Sequence, residues 1–102
     1  MQTTLAACAL VVLLGCGAPS NVDLCHATCD SSRRCGLVSD SAAANCRQAC
    51  ENNRGALMDQ DRREDRECRN AGVIRQQKMN CLTSDCNKVA QCLARVDGCI
   101  WS

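Results

Sequence analysis

Residues 25–50 read CHATCDSSRRCGLVSDSAAANCRQAC, and one spacing frames them twice: Cys25-His26-Ala27-Thr28-Cys29 and Cys46-Arg47-Gln48-Ala49-Cys50. Cysteines four residues apart share one face of an α-helix, about 6 Å apart along its axis. Between the copies, Gly36 is a helix-stopping type, and Leu37-Val38-Ser39 forms a turn before a second start near Asp40 or Ser41. The arms match in length, since Cys29 lies six residues before Cys35 and Cys46 lies five after Ser41. In two antiparallel helices the inner Cys29 then faces Cys46, and the outer Cys25 faces Cys50. Both bridges are expected, and together they staple an α-hairpin. The loop of about 16 residues closed by the inner bridge is worth ~3 kcal/mol in the chain-entropy model.

Working outward, the first helix is expected from Asp23 to the break at Gly36, and the second from Asp40 or Ser41 to Asn52, Asn53 and Gly55. A third falls within Asp59–Ala71. Its start is almost wholly charged, with five acids against four Arg between 59 and 69, and this reads as a solvated face. Asp59 with Arg63 and Asp65 with Arg69 are acid-before-base pairs of about 0.3 kcal/mol each. Gly72 is expected to interrupt this third helix, with a continuation carrying Val73, Ile74 and Met79 as far as Leu82. The last helix is expected from Ser84 or Asp85 to Arg95 or Val96, burying Val89, Cys92, Leu93 and Val96 at 3-4-3 spacing. Trp101 is expected to cover one end of the bundle.

Composition explains the need for staples. The 102 residues include 12 Cys and one Trp but no Phe or Tyr, and the large aliphatic residues concentrate before position 16. So short a chain makes one domain at most, and it cannot build an ordinary hydrophobic core. Such domains are held by disulfides, which form in oxidising compartments. Cys35, Cys68, Cys81, Cys86, Cys92 and Cys99 complete an even set of ten with Cys25, Cys29, Cys46 and Cys50. Six cysteines allow 15 connectivities, and spacing does not choose among them. Cys35, at the hairpin tip, must reach the second half of the chain. The formal net charge of +1 excludes a general nucleic-acid binder.

The N-terminal stretch carries an export pattern. Leu5 to Leu14 are ten consecutive apolar residues, too few to span a bilayer and suited to a signal peptide's hydrophobic region. The following Leu13-Leu14-Gly15-Cys16 resembles the bacterial lipobox. That resemblance implies cleavage before Cys16 and diacylglycerol on its sulfur, with Cys8 discarded. The chain then divides into a signal peptide (1–15), a lipidated tether (16–22) and a cysteine-rich domain (23–102). Gly17 is not Asp, so the enteric inner-membrane retention signal is absent, and the outer membrane or cell surface is expected. The implied partner is the lipid bilayer, reached through acylated Cys16.

The order of Cys25, Cys29, Cys35-Gly36, Cys46, Cys50, Cys81, Cys86 and Cys92-Leu93 resembles small cysteine-rich lipoproteins abundant in myxobacteria. That resemblance implies no activity. Twin Cys-x3-Cys is also similar to intermembrane-space chaperones of mitochondria, where the shared feature is the hairpin.

Catalytic chemistry finds no support. His26 stands beside Cys25, but adjacent helical side chains point about 100° apart, and a catalytic thiolate must be free and accessible. His26 is expected on an exposed helix face, the carboxylates lack apolar surroundings, and a thioredoxin-type Cys-x2-Cys is missing. No catalytic residue, cofactor or metal is assigned. The competing reading is a periplasmic Cu(I)-binding or storage protein, since Cys25/Cys29 and Cys46/Cys50 also resemble the thiolate ligands of bacterial copper-storage proteins. An oxidising compartment and the even count favour disulfides. The expected molecule is an all-α, disulfide-stapled bundle of three or four short helices on a lipid anchor, serving as an envelope binding or structural module.

Overall fold

The computed structural model describes residues 17–102; the expected signal peptide (1–15) and the expected lipidation site, Cys16, lie outside the described residues. Within them the fold is all-α: α1 (Asn21–Arg34), α2 (Asp40–Asn52), α3 (Arg54–Glu67), α4 (Ala71–Leu82), a 3-10 turn (Cys86–Lys88) and α5 (Val89–Ala94).

The first helix begins two residues before the expected Asp23. Ser20 caps it, because its Oγ accepts from the Asp23 N–H while Asp23 Oδ2 accepts from the Ser20 N–H. This reciprocal box satisfies two end groups that would otherwise lack partners. Arg33 and Arg34 lie in the last turn, where the helix dipole favours cations. Gly36 then takes φ +73°, and Gly36 N–H and Leu37 N–H donate to the carbonyls of Arg33 and Ser32. That is a Schellman stop, which needs a left-handed residue, hence glycine. Ser39 caps α2 by accepting from the Ala42 N–H.

Residues 18–22, expected as part of a loose tether, pack into the domain instead. Val22 is buried, Pro19 offers its carbonyl to Arg75, and Ala18 packs against Gly72. An ideal Cβ on Gly72 would stand 3.2 Å from the Ala18 Cβ, so the glycine permits a close approach there. Gly72 does not interrupt a helix as expected; it lies in the first turn of α4. The break comes earlier, at Cys68, whose extended backbone pairs with Trp101 in an antiparallel bridge.

Helix α3 starts at Arg54, five residues ahead of the expected Asp59, because Asn53 serves as both the end of α2 and the start of α3. No residue of α3 is fully buried. The final helix is shorter than expected, and its stripe of Val89, Cys92, Leu93 and Val96 is only partly covered, with Leu93 38% exposed. It packs chiefly on α4, which leaves its opposite side to solvent.

The buried apolar residues are Val22, Leu24, Cys29, Ala43, Cys50, Cys68, Ala71, Cys81 and Leu82. Three large aliphatic side chains are too few for a core of usual density. Among the described residues the largest fully buried side chains are Cys29, Cys50 and Cys81. Sulfur occupies the interior that Leu, Ile and Phe fill in ordinary bundles.

Candidate functional site

All ten cysteines of the described segment lie in pairs at disulfide distance. Cys25 faces Cys50 and Cys29 faces Cys46, with Cα separations of 5.8 and 5.7 Å, within the ordinary disulfide range. The two bridges stack between α1 and α2, with Cys29 Sγ and Cys50 Sγ 3.8 Å apart. Cys35 pairs with Cys86, Cys68 with Cys99, and Cys81 with Cys92. The Cys35–Cys86 bridge joins the hairpin to the second half. Arg34 reinforces that joint by donating to the carbonyls of Leu82 and Ser84 at 3.0 and 2.8 Å.

His26, expected on an exposed face, is half-buried, and its Nε2 is in hydrogen-bond contact with a Glu51 carboxylate oxygen across the hairpin. Glu51 also accepts from Arg54 Nε and Nη2 at 3.0 and 2.8 Å. Hydrogen bonds from His26 and then Arg54 hold the Glu51 carboxyl below its ordinary range. Cys25, beside His26, is bonded to Cys50, so no thiol stands within reach to be activated. Among the described residues no cluster of three or more His, Cys, Asp or Glu side chains is arranged to hold a metal.

Two polar assemblies escaped sequence reading. The first centres on Arg75, only 8% exposed. Its Nε donates to the Pro19 carbonyl at 2.8 Å, Nη1 to Glu64 at 3.0 Å and Nη2 to Asp65 at 3.0 Å. Asn21 adds a side-chain donation to Glu64 at 3.0 Å and a backbone donation to Asp61 at 2.9 Å. The expected pairs Asp59–Arg63 and Asp65–Arg69 do not form: Asp59 meets Arg62, and Asp65 meets Arg75. One edge of the charged helix is therefore a packing face. Its acids are needed to receive a buried cation.

Burial raises the Glu64 carboxyl, but donations from Asn21, Gln60 and Arg75 outweigh it, and the net shift is downward from 4.5. A carboxyl depressed in the folded state contributes stability above its unfolded value and loses it as pH falls through the folded one. The melting temperature is accordingly expected to hold steady above about pH 5 and to decline below 4.5, where the unfolded carboxyl takes up its proton first. Thermal melts followed by circular dichroism at stepped pH check this, and Glu64→Gln should flatten the acid limb.

The second assembly is a clip that holds the last residues against the α3–α4 corner. Besides the Cys68–Cys99 bridge, Arg69 N–H donates to Ile100 O at 2.8 Å and Ser102 N–H to Glu67 O at 3.0 Å. Asn70 works both ways, its Oδ1 accepting from the Ile100 N–H at 2.8 Å and its Nδ2 donating to Gly98 O at 3.0 Å. Trp101 does not cap the bundle as expected. Its indole is 71% exposed, on the rim of an open groove of about 500 Å³ bordered by Gln60, Arg63, Lys78, Leu93 and Val96. Among the described residues no helix is long and apolar enough to cross a membrane. No protein-family model, no curated protein and no solved structure matches the chain.

Proposed function

We propose that this chain is an exported lipoprotein, anchored by acylated Cys16 at the outer membrane or cell surface. Its stapled helical domain would act there as a binding or structural module. The observation that carries the reading is the complete pairing of the ten domain cysteines downstream of a lipobox-like Leu13-Leu14-Gly15-Cys16. Bridged sulfurs suit an oxidising compartment and leave no thiolate for Cu(I). A module of this kind needs a rigid frame and a varied surface. The cross-links supply the first, and the mixed charges of α3 with the open grooves supply the second.

The test is the intact mass of the mature protein under non-reducing conditions, with and without alkylation, alongside palmitate labelling. A protein starting at Cys16 is expected to carry acyl mass and to take up no alkylating reagent, and Cys16→Ser should lose the label. Alkylatable thiols with bound copper would favour storage chemistry instead. A mature chain beginning downstream of Cys16 would remove the anchor.

A further inference from the structure

We infer that the end of the bundle displaying Trp101 and Ile100 is a lipid-contact face that rests on the bilayer holding the anchor. The inference rests on the acylation of Cys16 proposed above and goes beyond it, because an anchor alone does not fix how a domain sits.

The first step is covalent reach. Ala18 packs on Gly72, and Pro19 is hydrogen-bonded to Arg75, so the ordered domain begins two residues after Cys16. Two residues span at most about 7 Å. A tether of seven flexible residues would let the domain tumble; one of this length holds Ala18 against the headgroups. Whatever part of the surface surrounds Ala18 must face the membrane.

The second step is what stands there. Ala18 packs on Gly72 in the first turn of α4, and Cys68, three residues before that helix begins, is the residue paired with Trp101. The N-terminus of α1, the C-terminus of α3, the N-terminus of α4 and the clip thus meet at one end of the molecule. Asn21 bonded to Asp61 and Glu64, and Pro19 bonded to Arg75, fix that meeting. On this end Trp101 is 71% and Ile100 48% exposed. Exposed Arg66 and Arg69 flank Glu67 and Cys68, the residues to which the clip is tied.

The third step is chemistry. An indole has a broad apolar body and one N–H donor, the combination that favours the headgroup boundary over either water or hydrocarbon. Arginine stems can lie along that boundary while their guanidiniums stay with phosphate. A disulfide and four hydrogen bonds hold the clip, so little conformational freedom is lost when it settles on lipid. A chain whose only Trp, Tyr or Phe is Trp101 mounts it in the open on the clip held to the α3–α4 corner.

That Trp101 is the one tryptophan, with no Tyr or Phe, lets intrinsic fluorescence report on it alone. The experiment uses mature protein carrying its lipid, reconstituted into vesicles of ordinary lipid and of lipid brominated in the acyl chains. Expected results are a blue-shifted emission, loss of most of the intensity in brominated vesicles, and several-fold weaker quenching by acrylamide than for a free tryptophan amide. If acyl mass is present on Cys16 yet emission stays red and acrylamide quenches freely, the lipid-contact face is wrong while the anchor stands. A blue shift without bromine quenching would place the indole against protein and also overturn it. Absence of acyl mass would remove the anchor and the inference together.

Discussion

Treated with excess dithiothreitol at neutral pH, the mature domain is expected to lose most of its helical circular dichroism and to become fully alkylatable. Helices α1 to α4 run 14, 13, 14 and 12 residues, and α5 only six. Isolated helices shorter than about 12–15 residues are marginal in water even when rich in alanine. Tertiary packing would ordinarily hold them, but α3 buries no residue completely, and four of the nine buried apolar residues are half-cystines, with only three large aliphatic side chains beside them. In the chain-entropy model each bridge is worth ~3 to ~4 kcal/mol, the most for Cys35–Cys86, whose partners are 51 residues apart. Two pairs of loops are nested and the Cys35–Cys86 loop interleaves with all four, so these values do not add, yet together they rival the roughly 5–15 kcal/mol of a typical domain. Graded loss is expected on the way. A Cys35→Ser, Cys86→Ser double variant should keep its α1–α2 hairpin while the second half loosens, because the four other bridges each close within one half. Retention of the full helical signal with ten free thiols would show that packing, and not cross-linking, carries the fold.

The hairpin is legible in the chain because its signals are local and agree. Four-residue spacing puts each cysteine pair on one face, Gly36 supplies the left-handed stop, and Ser39 with Asp40 supplies the start. The all-α class follows from the same periodicity. Ser20 as first cap was missed although its signal was present, three residues ahead of the acid at Asp23, because Asp23 is itself a good cap. Arg75 had no signal of its own. A lone cation in a polar helix is indistinguishable from a solvated one until the partner helix is placed, and every acid on α3 has an Arg within a turn that would serve it equally well. The clip is equally silent: it depends on a single antiparallel bridge and on Asn70, neither of which leaves a period in the sequence. Which of the last six cysteines meet depends on how α4 lies along α1, a long-range fact that no spacing encodes.

The Arg75 assembly predicts the second large effect. Arg75→Met keeps most of the side-chain volume and removes the charge, leaving Glu64, Asp65 and the Pro19 carbonyl without their donor. Breaking a fully buried ion pair costs about 3–5 kcal/mol because the surviving charge is stranded. Here the survivors are partly wet, with side chains 32% exposed for Glu64 and 58% for Asp65. The expected cost is therefore lower, roughly 2–3 kcal/mol, or about 10–20 °C in melting temperature for a domain of this size. Arg75→Lys should recover little, since one ammonium on a flexible stem cannot reach three acceptors lying in different directions. Pairing Arg75→Met with Glu64→Gln should cost less than the two changes summed, because each removes what strands the other. The same logic reaches the acid limb. Without Arg75, one of the donations that depress the Glu64 carboxyl is gone, so less stability remains to be lost as pH falls below 4.5. An Arg75→Met protein that melts where its parent does, with the acid limb unchanged, would mean that the guanidinium is merely accommodated beneath Pro19 and that the junction of α1, α3 and α4 is held by Ala18, Val22 and the cystines alone.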